Sequence, residues 1–146
     1  MTMGKNEIIA SRVFDVPREL LFQAWTTPEL LARWWGPHGF TNTFHECDVR
    51  PGGTWRFTMH GPDGVDYPNH CVFVEIVPHE RVALDHLSGH EFRVTATFDD
   101  LEGRTKVTFR QNFKITEEFE QAKAYCVEGN EQNLDRLGKV LAEMAY

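Results

Sequence analysis

Apolar and polar residues alternate along the middle of the chain. Four segments keep this period of two, at residues 55–59, 82–86, 92–98 and 107–113. Turn sequences that contain glycine separate most of them. Alternation of this kind buries one face of each strand, which is typical of an antiparallel sheet rather than a parallel one.

Two further segments are expected to be strands. Residues 8–16 alternate in the same way near the start of the chain. Residues 70–77 are apolar as well, but their apolar positions do not keep one parity. We expect either a bulge near Glu75 or a strand that is covered on both faces.

The segment after the first strand predicts two short helices. Pro17 fixes the backbone for a first helical turn, and apolar residues at 20–25 follow at helical spacing. Thr27 is expected to cap the second helix, with Pro28 at its first position. Gly36-Pro37 should end this helix directly after Trp34-Trp35.

The end of the chain predicts one long helix that begins near Thr116. Acidic residues follow Thr116 in the first turn, where the helix dipole favours them. Apolar and small residues then recur at steps of three and four, at Phe119, Ala122, Cys126, Gly129, Asn133, Leu137, Val140 and Met144. A helix with one such stripe is expected to lie along the sheet. Glycine in its middle costs roughly 1 kcal/mol relative to alanine, so we expect the sheet or a ligand to approach Gly129 closely.

Composition and charge narrow the class of protein. The chain has 146 residues, of which 41% are hydrophobic and 25% are charged, as in ordinary globular domains. We expect a single domain over residues 1–146, because no repeat and no linker-like stretch divides the sequence. The formal net charge of −7 argues against nucleic-acid binding. No apolar run reaches the roughly 18 residues that a membrane span needs.

The N-terminus and the cysteines favour the cytoplasm. The first seven residues lack the apolar core of a signal peptide. The three cysteines are widely spaced, which suits reduced thiols better than a disulfide framework. We therefore expect a cytoplasmic protein.

Candidate catalytic chemistry is sparse. The two serines, Ser11 and Ser88, do not lie in a nucleophile elbow. Cys71 could act as a nucleophile, but a cysteine between apolar strand residues is more often inert packing. None of the seven histidines falls in a spaced ligand motif. We assign no catalytic residue, no metal site and no cofactor.

Two polar residues fall on the apolar face of the sheet. His86 shares its parity with Val82 and Leu84, and Gln111 lies between two phenylalanines. Turns at Gly89 and near Leu101-Glu102 would place His86 opposite Phe92, and Phe92 opposite Gln111. Such inward polar groups either bond each other through water or reach the rim, or else they orient a ligand. Tyr67, expected opposite Met59, could add a hydroxyl group to the same place.

Four short motifs carry a family resemblance that extends over nearly the whole chain. They are Pro28-Glu29 ahead of Trp34, Asp48 before Arg50-Pro51-Gly52-Gly53, Glu75-Ile76 before Pro78-His79-Glu80-Arg81, and Glu128-Gly129 ahead of Leu134 and Leu137. The chain resembles the START-like (SRPBCC, helix-grip) superfamily, close to the family of the heat-shock-protein-90 ATPase activator C-terminal domain. This resemblance implies an α+β fold in which a curved antiparallel sheet of about seven strands surrounds the C-terminal helix. Asn130, where relatives often carry tryptophan, and Cys71, where many carry glycine, depart from the family pattern.

The resemblance also implies an internal cavity between the helix and the sheet. We expect Trp34 and Trp35 to close its mouth. From this, the parity of the strands and the stripe of the helix, the expected lining is Trp34, Trp55, Phe57, Met59, Tyr67, Cys71, His86, Phe92, Val94, Phe109, Gln111, Cys126, Gly129 and Asn133. His86 and Gln111 would then hold two ends of one small molecule.

Three functions from different classes remain open. The first is a carrier or sensor that binds a small apolar or amphipathic ligand. The second is an enzyme of cyclase, lyase or hydrolase type that uses His86 or Tyr67 for acid–base chemistry. The third, suggested by the family name, is a stress-response module that binds a chaperone. A second copy of the chain also stays open as a partner.

Overall fold

Seven antiparallel strands form one curved sheet in the computed structural model. They are β1 (Glu7–Phe14), β2 (Thr41–Cys47), β3 (Thr54–His60), β4 (Asp66–Val77), β5 (Arg81–His86), β6 (Phe92–Leu101) and β7 (Arg104–Phe113). Their order across the sheet is β1-β7-β6-β5-β4-β3-β2, so that β1 pairs with β7 and the others follow as a meander. The predicted antiparallel sheet is confirmed.

The structure describes residues 6–144. Residues 1–5, which contributed to the expectation of a cytoplasmic protein, lie outside the described residues, as do residues 145 and 146 of the predicted domain. None of the helices described between residues 6 and 144 combines the length and the apolarity that crossing a membrane requires.

Three helices complete the fold, as predicted. They are α1 (Arg18–Thr26), α2 (Pro28–Trp34) and α3 (Thr116–Met144). Pro28 occupies the first turn of α2, as expected. Thr27 occupies the N-cap position with extended backbone, as predicted, and its side chain makes no capping hydrogen bond. Its backbone carbonyl oxygen instead accepts from the N–H groups of Leu30 and Leu31.

The strand pairing agrees with the sequence in its faces but not everywhere in its register. The pairing of β4 with β5 shifts between Phe73 and Glu75, which confirms the expected bulge. His86 pairs with Phe92, as predicted, but Phe92 pairs with Phe113 rather than with Gln111. The reason is the turn between β6 and β7, where Glu102 and Gly103 both have positive φ and Leu101 pairs with Arg104. A shift of two residues keeps the same face inward, because side chains alternate with a period of two.

The apolar side chains of the inner face form two separate clusters. The smaller cluster joins the start of α3 to the edge of the sheet and contains Ile8, Phe113, Phe119 and Ala122. The larger cluster joins α1, α2 and the end of α3 to the centre of the sheet, and it contains four tryptophans. Phe92 packs against both clusters. The middle of α3 lies between them, and its inward residues are small or polar.

Candidate ligand-binding site

A cavity of about 670 Å³ lies between the middle of α3 and the inner face of the sheet. Its surface is mostly apolar, and it is partly open to solvent. Pockets for small molecules commonly measure about 300–1,000 Å³ and combine apolar walls with a few polar groups. The volume and the character of this cavity therefore suit a small organic ligand.

Four parts of the fold build the wall of the cavity. The inner face of β3, β5, β6 and β7 and the start of β4 form the floor. The helix α3 covers it from Ala122 to Asn133. The segment between α2 and β2 and the loop between β5 and β6 complete the rim.

The structure places ten of the fourteen expected residues at the cavity. They are Met59, Tyr67, His86, Phe92, Val94, Phe109, Gln111, Cys126, Gly129 and Asn133. Tyr67 pairs with Met59 across β3 and β4, as expected. Both strand parity and helix periodicity thus bring these side chains to one place.

Trp34, Trp55, Phe57 and Cys71 lie elsewhere, fully inside the larger apolar cluster. Trp55 stacks on Phe57 with 4.3 Å between ring centroids, and Cys71 pairs with Trp55 across the strands. Trp34 donates its indole N–H to the carbonyl oxygen of Ala24 at 3.0 Å. These inward residues are covered by other rings rather than by open space, and Trp35 is the neighbouring tryptophan that reaches the cavity.

His86 is held by hydrogen bonds on both ring nitrogens. Nδ1 lies 2.7 Å from the carbonyl oxygen of His90, and Nε2 lies 2.6 Å from Oδ1 of Asn69. The ring stacks on Phe92 with 4.5 Å between centroids. Burial lowers the pKa of His86, and the hydrogen bond to His90 offsets part of this effect. With both nitrogens engaged, His86 offers a ligand its ring rather than a free proton acceptor.

Gln111 is paired with Asn130, the residue that departs from the family pattern. Nδ2 of Asn130 donates to Oε1 of Gln111 at 3.0 Å. Burial raises the pKa of the Cys126 thiol, and the adjacent Gln111 amide offsets part of that effect. This pair joins α3 to β7 at the wall of the cavity.

The segment after α2 is fixed to α3 by two side chains. Oδ1 of Asn133 accepts the backbone N–H of Gly36 at 2.8 Å. The guanidinium of Arg136 donates to the carbonyl oxygens of Gly36 and Pro37, both at 2.9 Å, and more weakly to that of Trp35. Burial lowers the pKa of Arg136. These bonds hold the rim of the cavity in place.

The cysteines fit packing roles better than catalysis. Burial raises the pKa of Cys71 to about 12 and that of Cys47 to about 11. A thiol with so high a pKa carries little thiolate at neutral pH, and the thiolate is the nucleophile. Among residues 6–144, no cluster of three or more His, Cys, Asp or Glu side chains is placed to hold a metal ion.

Sequence reasoning missed several residues of the wall. Those that matter for the chemistry are Asn69, whose side-chain amide is hydrogen-bonded to Nε2 of His86, and Asn130, which binds Gln111. Asn130 lies three residues before Asn133 on α3, a spacing that places both on one face of a helix. That spacing indicates that Asn130 lines the cavity beside Asn133. Nothing in the sequence pattern of β4 marks Asn69.

A seven-stranded antiparallel sheet that wraps a long C-terminal helix, with two short helices after the first strand, is the helix-grip arrangement of START-like proteins. The family model described as "Activator of Hsp90 ATPase homolog 1-like protein" matches residues 15–142, and the chain belongs to this family. A search of the curated proteins found no match.

Solved structures share the fold at low sequence identity. A protein from Nitrosomonas europaea is 21% identical with a TM-score of 0.89, over 99% of this chain and 100% of that one. A protein from Arthrobacter aurescens is 24% identical with a TM-score of 0.88, over 95% of this chain and 87% of that one. The AHSA1 protein from Silicibacter pomeroyi is 20% identical with a TM-score of 0.78, over 94% and 99% of the two chains. At these identities the similarity shows the fold alone.

Proposed function

We propose that this protein binds a small, largely apolar molecule in the cavity between α3 and the sheet. The observation that carries the proposal is the cavity itself, about 670 Å³ of mostly apolar space where the two hydrophobic clusters stay apart. Close packing is the rule in protein interiors, so a space of this size in the middle of the fold needs an explanation. A bound ligand supplies one.

Gly129 supports the proposal independently. A Cβ atom built on Gly129 would meet only Pro37 Cγ within 4 Å, at an ordinary contact distance of 3.6 Å. Packing within the described protein therefore does not require glycine here, although glycine weakens the helix. Gly129 faces the cavity, and a ligand that lies against α3 would account for the missing side chain.

Binding without catalysis is the function that the site supports best. An acid–base role for His86 needs a nitrogen that reaches the ligand, whereas both of its nitrogens are bound to Asn69 and to the His90 carbonyl group. The thiols of Cys71 and Cys126 have raised pKa values. The arrangement is that of a carrier or a sensor.

Thermal unfolding with small apolar probes tests the proposal. Butylbenzene and naphthalene should raise the melting temperature, because a ligand that binds only the native state stabilises it by mass action. At 100 times the dissociation constant the gain is about 2.7 kcal/mol, or roughly 5–10 °C for a chain of this size.

Two matched variants on α3 locate the effect. Gly129→Phe projects a ring into the cavity and should abolish the probe-induced shift. Ala124→Phe adds the same ring at an exposed position of the same helix and should leave the shift unchanged. Equal shifts in both variants would place binding outside the cavity, and the absence of any shift in the wild-type protein would refute the proposal.

A further inference from the structure

Three side-chain amides line the cavity where α3 meets β7. Gln111 is 4% exposed, and Asn130 and Asn133 are each 7% exposed. Asn130 and Asn133 are three residues apart, so they lie next to each other on the face of α3 that covers the cavity. We call these three residues the amide group of the cavity.

The two amides of this group that lie on α3 have one donor and one acceptor left over, and the Gln111 amide adjoins the Cys126 thiol. Asn133 must direct Oδ1 at the Gly36 N–H, which leaves its Nδ2 as the donor. Asn130 directs Nδ2 at Gln111, which leaves its Oδ1 as the acceptor. Within residues 6–144, neither Asn133 Nδ2 nor Asn130 Oδ1 makes a hydrogen bond, and neither is among the fully buried side-chain atoms that lack a partner, so both are open to the cavity. Both atoms can therefore bond water or the polar end of a ligand that enters the cavity.

The described walls of the cavity carry a single Asp, Glu, Lys or Arg side chain, a carboxylate at the exposed rim. Of the described residues that line it, Asp66 is the sole carboxylate, and it lies 2.8 Å from Nδ1 of His60. No lysine or arginine lines it among those residues. Arg136, on the next turn of α3, binds backbone carbonyl groups instead. An ion moved from water into such a site loses its hydration without gaining a partner.

We propose that the cavity selects uncharged amphipathic molecules whose polar end both accepts and donates a hydrogen bond, as a carboxamide does. The ligand's carbonyl oxygen accepts from Nδ2 of Asn133, and its N–H group donates to Oδ1 of Asn130. The apolar body lies among Trp35, Phe92 and Phe109. This inference rests on the proposed function and adds the chemical class of the ligand to it.

Four probes with one common body test the inference. They are butylbenzene, 4-phenylbutanamide, 4-phenylbutanoate and 4-phenylbutylamine, titrated into the wild-type protein at pH 7 by calorimetry. The amide should bind at least about tenfold more tightly than either charged probe, a difference of about 1.4 kcal/mol. Butylbenzene reports whether the cavity binds at all.

The variants distinguish binding of the ligand's polar end from binding of its apolar part. Asn130→Leu should lower the affinity for 4-phenylbutanamide by about tenfold, equal to about 1.4 kcal/mol, while the affinity for butylbenzene changes by less than about threefold. Gln121→Leu also replaces an amide by leucine, at an exposed position of α3, and should leave the affinity for every probe unchanged. Asn130→Asp, which adds a negative charge, should shift the preference toward 4-phenylbutylamine.

The outcomes distinguish this inference from the proposed function. If no probe binds, the proposed function fails and this inference fails with it. Two results would leave ligand binding intact and refute selection by the amide group. In the first, butylbenzene binds but a charged probe binds as tightly as 4-phenylbutanamide. In the second, Asn130→Leu lowers the affinity for all four probes alike. If Asn130→Leu does not fold, the shift of preference in Asn130→Asp decides, and its absence overturns the inference.

Discussion

Replacement of Gly129 by alanine should stabilise the unliganded protein, although Gly129 faces inward from the middle of α3. Alanine is favoured over glycine in a helix interior by about 1 kcal/mol. The new methyl group would meet only Pro37 Cγ, at 3.6 Å, which is an ordinary van der Waals contact. We therefore expect the free energy of unfolding to rise by about 1 kcal/mol, and the melting temperature to rise by roughly 2–4 °C.

Gly138→Ala on the same helix is the matched control. It brings the same gain in helix propensity, but its methyl group would lie 3.2 Å from Cε1 of Phe14. The Phe14 ring must move to relieve that contact, so Gly138→Ala should gain less than Gly129→Ala. The contrast isolates the open space beside Gly129 from the general preference of helices for alanine.

Urea denaturation of both variants and of the wild-type protein measures these differences. The slope against urea should stay constant, because neither change alters the surface exposed on unfolding appreciably. A Gly129→Ala variant that is less stable than the wild-type protein, or no more stable than Gly138→Ala, would show that the space beside Gly129 is not open. A bound ligand would then not account for the glycine at position 129.

Three other substitutions test the frame around the cavity. Arg136→Met removes the donors that hold the rim and should lower the free energy of unfolding, measured with urea, by about 2 kcal/mol. Lys139→Met, at an exposed position, should change it by less than about 0.5 kcal/mol. Equal effects of the two substitutions would contradict the role of Arg136. Phe109→Ala should cost about 3–5 kcal/mol in the same assay, because this buried ring packs against Trp25 and Trp35, and a loss below 1 would be inconsistent with that packing. Burial holds the pKa of His86 below its ordinary value of 6.5, so the unfolded chain takes up the proton first and the free energy of unfolding should fall as the pH drops below about 6.5. In melting experiments from pH 7.5 to 5, His86→Gln should flatten this dependence. An unchanged dependence on pH would refute the assignment to His86.

The sequence predicted the faces of the strands better than their pairing. Parity alone placed Phe92, Val94, Phe109 and Gln111 on the inner side, and all of them line the cavity. The predicted partner of Phe92 is wrong because the pairing depends on which two residues form the turn after β6. The predicted turn near Leu101-Glu102 lies one position too early, since the chain turns at Glu102-Gly103. Register follows turn geometry, which a pattern of period two does not encode.

The sequence could not separate open space from close packing. Trp55 and Phe57 face the same side as Met59, but their rings stack on each other and on Phe73. Whether an inward residue meets a ring or a void depends on side chains far away in the chain. The same holds for Asn130, whose bond to Gln111 joins residues that are nineteen positions apart.

Nuclear magnetic resonance with the ¹⁵N-labelled protein tests the central claim most directly. Titration with 4-phenylbutanamide should shift, in a saturable way, the side-chain amide signals of Gln111, Asn130 and Asn133 and the backbone signal of Gly129. The signals of Arg93 and Lys106, which are exposed on the opposite face of the sheet, should not move. Saturable shifts confined to the first set would show that the cavity is a binding site. Shifts that appear on the outer face, or no shift up to the solubility limit of the probe, would contradict the account.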